Sequence, residues 1–137
     1  MHQSNTIQDT IHFGILKRVL MAIDGNWLAV EAEFGGKQID EEYLPVITLS
    51  IDKEQCELHI GGNADKGTLK FIPYVIPMAF DFTSVEGPNR GKTYKAIYKN
   101  TGGYLIICFN TESADRPKTF TSTVENHFHL VRYKRAE

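Results

Sequence analysis

Two pairs of ionisable residues have spacings that could do chemistry: Glu31 and Glu33 near one end of the chain, His127 and His129 near the other. In extended backbone, residues two apart share a face, so each pair presents two groups to one side of a strand. Glu33 beside His129 would be an acid–base pair, the carboxylate fixing the imidazole tautomer and raising its basicity. Two imidazoles at i and i+2 stand about 7 Å apart, which chelates a metal only when a third ligand closes the site. The blander readings are that these histidines contact a ligand or are simply solvated, and that both glutamates lie on a wet face. Tyr94, Tyr98 and Tyr133 add hydroxyls. Arg116, ahead of a proline, suits either a loop anchor or the grip on an anionic group at a barrel mouth.

Other chemistries lack their residues. Cys56 and Cys108 each sit in an apolar run with no base nearby in sequence, and two cysteines are too few for a disulfide framework. There is no Gly-x-Ser-x-Gly, no phosphate loop and no dinucleotide fingerprint; Gly61-Gly62-Asn63 reads as a hairpin turn. No metal and no cofactor are expected.

The elements that must position these groups are short. From Ile7 to Ile23 an Ile/Val stripe at every fourth position predicts an amphipathic helix, weakened by Gly14, that covers a mouth or flank. After Gly25 the period drops to two. Strands are expected at Trp27–Phe34, Val46–Ile51, Gln55–Ile60, Gly67–Ile72, Met78–Thr83, Thr93–Lys99, Tyr104–Phe109, Lys118–Thr121 and His127–Lys134, with turns rich in Gly, Asn and Pro between them. Such a series makes an antiparallel sandwich or a closed barrel. Closure is favoured because it removes exposed edges. It also lets Trp27 on the first strand meet Arg135 on the last, the indole filling the floor and the guanidinium stacking over it. Segment 1–24 is then a helical appendage packed on a barrel of residues 25–137.

Alternation assigns the interior. With Trp27 and Arg135 inward, strand one presents Trp27, Ala29, Glu31 and Glu33, and the last strand Tyr133, Val131, His129 and His127. That register sets Tyr133 against Ala29, Val131 against Glu31 and His129 against Glu33. A bulge in strand one would invert its outer half and put Val30, Ala32 and Phe34 inside instead. Phe80 and Phe82 point inward with Asp81 outward; Tyr94, Ala96 and Tyr98 point inward with Lys95 and Lys99 outward. Cys56, Leu58 and Ile60 form one face, and Leu69 and Phe71 alternate with Lys70. An apolar hollow with a few polar groups is the usual composition of a small-molecule site.

Composition narrows the partners. The 137 residues suffice for one domain with its own core; 42% are hydrophobic and 23% charged, for a net charge of −2. Without a basic surplus, nucleic acid is not an expected partner. No stretch approaches the roughly 20 apolar residues of a membrane span. Residues 1–10 are polar where a secretion signal is basic and then apolar, so the expected location is the cytoplasm.

Several ordered fragments carry a resemblance: Gly25-Asn26-Trp27, Gly35-Gly36-Lys37, Pro77 to Asp81, Gly91-Lys92, Ile97-Tyr98, Leu105 with Ile107-Cys108-Phe109, Arg116-Pro117 with Phe120, and a terminal strand ending at Arg135. From about Ile23 to Arg135 the chain resembles an uncharacterised family of bacterial lipocalin-like domains. The resemblance implies a calycin-type, up-and-down antiparallel β-barrel of eight or nine strands with an internal cavity, and brings no activity with it. The longer N-terminal helix and several of the aromatics and histidines depart from the family pattern.

The reading that follows is a lipocalin-like binding protein holding a small, largely apolar ligand. Its candidate ligand contacts are Glu31, His127, Tyr98, Tyr94, Phe80, Phe82, Arg116 and Tyr133, with Trp27 and Arg135 structural. The alternative is a cofactor-free cyclase or isomerase working through Glu33 and His129. A third is an interaction module whose N-terminal helix plugs the mouth or docks a protein partner or a second copy.

Overall fold

The computed structural model describes residues 22–136. The predicted helix over residues 7–23, and with it the N-terminal segment, falls almost wholly outside the described residues. Nine strands follow: β1 (Gly25–Phe34), β2 (Lys37–Gln38), β3 (Ile47–Asp52), β4 (Gln55–Ile60), β5 (Asn63–Ile72), β6 (Met78–Glu86), β7 (Thr93–Thr101), β8 (Tyr104–Asn110) and β9 (His129–Arg135), with a 3₁₀ helix over Glu41–Val46. Every pairing is antiparallel, β1 and β3 through β9 follow one another round the sheet, and β9 pairs back onto β1. The protein is therefore an all-β, up-and-down barrel of eight strands, with β2 as a short extra strand folded back on β1.

The expected strand at Lys118–Thr121 does not form. Those residues belong to the long β8–β9 connection that runs over the outside of the barrel, and β2 takes the ninth place.

Closure rests on the first and last strands. Trp27 pairs with Arg135 in register, and the Arg135 guanidinium carbon lies 4.3 Å from the indole centroid. The same guanidinium donates to the carbonyls of Asp24 at 2.6 Å and Ala22 at 2.9 Å, while the indole Nε1 donates to Ile23 O at 2.9 Å. Gly25 allows this seam to close. Its φ is +131°, and a Cβ there would stand 2.6 Å from an Arg135 nitrogen.

One bulge decides the rest of β1. The register with β9 shifts between Ala29 and Glu31, leaving Val30 unpaired. Trp27 and Ala29 face in before the bulge, Ala32 and Phe34 after it. A second irregularity lies near the end of β6, where the register with β5 shifts between Lys66 and Gly67 and leaves Val85 unpaired. Leu49 and Ile51, Cys56 and Leu58, Leu69, Phe80 and Phe82, Tyr94, Ala96 and Tyr98, Leu105, Ile107 and Phe109, and Val131 and Tyr133 form one interior cluster.

A second, smaller core lies on the outer wall. Ala79, Ile97 and Cys108 face outward from β6, β7 and β8 and are covered by Phe120, Phe128 and Leu130. Arg116 pins that cover. It donates to the carbonyls of Phe80 and Ala96, both at 3.0 Å, and pairs with Asp81 at 2.6 Å; Lys95 holds the other Asp81 oxygen at 2.8 Å.

Candidate functional site

The barrel has a filled end and an open one. At the filled end Trp27, Tyr98 and Phe80 are each no more than 2% exposed. Towards the other end lies a cavity of about 320 Å³. Its apolar walls are Leu58 and Ile60 from β4, Phe109 from β8, Val131 from β9 and Phe34 from β1. The polar groups in the lining are Asn63, Asp65, Asn89, Lys92, Tyr94, Thr111, His129 and Tyr133. That volume sits at the small end of ligand pockets and equals the liquid share of about ten waters.

Asp65 organises one side of this mouth. It is 5% exposed, yet both its oxygens are engaged: Oδ1 accepts from Ser84 Oγ at 2.9 Å and from the Asn89 amide at 3.0 Å, and Oδ2 from Asn89 Nδ2 at 2.8 Å. Burial works to raise its carboxyl, but hydrogen bonds from Asn89 and Ser84, with the charge of Lys92, outweigh it and hold the group below its usual value. Asp65 is thus a charged staple between β5 and the β6–β7 connection. Gly87 permits the approach, since a Cβ at its φ of +124° would stand 2.7 Å from Asp65 Oδ1.

His129 and Phe34 form the opposite side. The bulge in β1 brings the two rings face to face, with centroids 4.3 Å apart. Burial lowers the His129 pKa despite the charge of Glu112, so at neutral pH the imidazole is uncharged, with one ring nitrogen a donor and the other an acceptor. Tyr94 and Tyr133 complete the wall. Burial raises both phenols, helped by Asp65 at Tyr94 and by Cys56 at Tyr133, so both stay protonated.

Several expected contacts are elsewhere. Glu31 and Glu33 lie on the outer face: Glu31 pairs with Arg132 at 3.5 Å, and Glu33 borders an outer groove. Glu33 is level with Leu130 and His129 with Phe34, so carboxylate and imidazole point to opposite sides of the wall and the expected acid–base pair is not formed. The cause is the Val30 bulge, which turns over the outer half of β1. His127 precedes β9, has a φ of +57° and pairs with Glu112 at 3.1 Å. It therefore shares no strand face with His129, and the His-x-His chelate geometry is lost. Among the described residues no three His, Cys, Asp or Glu side chains are grouped to hold a metal ion.

Arg116 is on the outer wall against Asp81, where it anchors the connection instead of meeting the cavity. Phe80, Phe82 and Tyr98 do face inward, but they pack beneath the cavity, with Phe80 and Tyr98 centroids 5.3 Å apart. Of the residues named as ligand contacts, the cavity wall contains Tyr94 and Tyr133; of the acid–base pair it contains His129.

Both cysteines are buried and free, Cys56 inside the barrel and Cys108 in the outer core. Burial pushes the Cys56 thiol up to about 12 and the Cys108 thiol to about 11, far from a reactive thiolate.

Asp65, Asn89 and Lys92 were missed by sequence reasoning. The hairpin at Gly61-Gly62 is tighter than expected, so β5 starts at Asn63 instead of Gly67. Running the Leu69–Phe71 alternation back two steps puts Asp65 inside, which was the available signal. No helix among the described residues is long and apolar enough to cross a membrane. Comparison with family models, curated proteins and solved structures finds no match to this chain.

Proposed function

We propose that this barrel is a lipocalin-like binding protein that takes a small, largely apolar molecule into the cavity at its open end. The observation that carries this is the contrast within one bore. Large buried rings occupy one half, while the other half keeps about 320 Å³ walled by aliphatic and aromatic side chains with a few polar groups. A fold that needed only stability gains nothing from that gap, since lining atoms without neighbours forfeit dispersion energy. The enzyme alternative rested on Glu33 beside His129. With those groups on opposite sides of the wall, His129 serves better as a flat, neutral contact for a guest than as a base.

An amide-resolved NMR titration with naphthalene tests the reading. Saturable shifts are expected at Ile60, Phe109, Thr111 and Val131, with residues around Trp27 unmoved. Ile60→Trp, which fills the space from its edge, is expected to remove them while the folded spectrum persists. Shifts that fail to saturate, or that are unchanged in Ile60→Trp, would refute it.

A further inference from the structure

Resting on that reading, we infer that the guest is an amphipathic anion. Its apolar body fills the cavity, and its anionic oxygens lie at the rim against Lys92, beside a cationic cleft on the outer wall. The first observation is continuity. Lys92, Tyr94 and Thr111 border both the cavity and a cleft on the outer face of β5, β6 and β7. A molecule seated in the hollow therefore meets Lys92 where it emerges. Backbone hydrogen bonds fix that residue: its N–H donates to Asn89 O at 2.9 Å, and its carbonyl accepts from the Ser84 N–H at 2.9 Å. Asp65 holds the side chains of both partners, so the same staple sets where the lysine stem starts.

The second observation is charge. The sheet register aligns Lys70, Asp81 and Lys95 across three strands, with Thr68, Thr83 and Thr93 in the next row towards the mouth. Three lysines and two carboxylates border the cleft, and both carboxylates are already engaged. Asp81 is held by Lys95 and Arg116, and Glu112 pairs with His127 at 3.1 Å. Lys70 and Lys92 have no ion-pair partner among the described residues. An anionic group at the rim gains this unshared positive charge and stays in contact with water, which avoids the cost of burying an ion.

The third observation is direction. Inward of Lys92 the lining holds one carboxylate, the buried Asp65, and then the apolar walls Leu58, Phe109 and Val131. That fixed negative charge and the loss of water both oppose an anion moving deeper, so the head stays out and the body goes in. A cationic head finds no matching site, because the Asp65 oxygens are taken by Ser84 and Asn89.

Three probes of one skeleton separate these terms: naphthalene, 2-naphthoate and 2-naphthylmethylammonium, titrated by NMR into wild-type protein and into Lys92→Gln. In wild type at low salt the carboxylate is expected to bind about three- to fivefold tighter than the hydrocarbon, the scale of one exposed charge pair. The ammonium should bind no tighter than naphthalene. Only the carboxylate should move the amides of Thr93 and Ser113 together with those of the cavity. Its advantage should shrink towards nothing in about 1 M salt, where charges are screened within about 3 Å. Lys92 is exposed, so Lys92→Gln should keep the folded spectrum, and in it the ratio of carboxylate to hydrocarbon affinity should fall to about one.

Equal binding of carboxylate and hydrocarbon in wild type, a carboxylate preference that survives Lys92→Gln, or tightest binding by the ammonium would each overturn the inference while leaving a binding cavity intact. Carboxylate shifts confined to the cleft, with cavity amides unmoved, would overturn it too. Failure of all three probes to bind would instead remove the cavity reading, and this inference with it.

Discussion

The two ends of the barrel are built from the same alternation and come out opposite. At the closed end Trp27 fills the bore, Arg135 lies over it and the backbone carbonyls of Ala22, Ile23 and Asp24 are drawn into the seam as acceptors. At the open end the inward positions of β1 are Ala32 and Phe34, and the latter lies flat against His129 instead of crossing the bore. The connections there are also tied outward. Asp65 holds the β6–β7 connection to β5, and Gly36 N–H donates to Ser122 Oγ at 2.8 Å, drawing the β1–β2 turn onto the β8–β9 connection. A hollow persists where large rings lie along the wall and the covering loops have partners of their own. It disappears where one ring points across and residues 22–24 with Arg135 cap it.

That comparison can be broken most severely at the floor. Trp27→Ala is expected to cost about 3–5 kcal/mol, read as a lower denaturant midpoint with an unchanged slope. If Trp27→Ala cost under about 1 kcal/mol, the floor would not be the part that holds the barrel shut.

The outer wall is next. Burial works to raise the Asp81 carboxyl, but hydrogen bonds and charges from Lys95 and Arg116 hold it below its ordinary value of 3.8. A depressed folded pKa contributes stability that is complete above the unfolded value and lost as pH falls through the folded one. Asp81→Asn is therefore expected to cost about 2 kcal/mol at neutral pH and to flatten the acid limb below about pH 4, with naphthalene binding unchanged. Loss of that binding would mean the outer cover and the cavity are coupled.

The smallest effect is expected at the mouth. The His129 pKa is lowered from 6.5 by burial, so below that pH the unfolded chain takes up a proton that the folded one refuses. Stability should decline gently as pH falls below 6.5 and level off at the depressed folded value. His129→Phe should abolish this shoulder and change neutral stability by less than about 1 kcal/mol. A shoulder that persists in His129→Phe would assign it to another histidine.

Much of this architecture is legible in the residues alone, because strand alternation has a period of two and inward positions must be apolar to be buried. Phe80 and Phe82 inside with Asp81 outside, and Tyr94 and Tyr98 inside with Lys95 and Lys99 outside, follow from that rule, while Trp27 against Arg135 follows from closing the first strand on the last. The candidate site is much less legible. Period-two reasoning carries one error through the rest of a strand, and Val30 introduces such an error in β1, taking Glu31 and Glu33 outside and Phe34 in. Arg116 is similar: its residue type suits an anion at a mouth or a carboxylate on a wall, and only the position of Asp81 across the sheet decides between them.

What the chain determines by itself, then, is the wall: which faces of eight strands are oily, that the first and last strands meet, and that Gly25 leaves room for the arginine that seals them. Local patterning suffices for these because burial of a face is additive along a strand. Tertiary structure alone decides where the interior stays empty and which polar groups border the gap. Those depend on a single unpaired residue in β1, on how far the rings reach across the bore, and on which loops Asp65 and Ser122 hold aside, all of them contacts between residues distant in sequence.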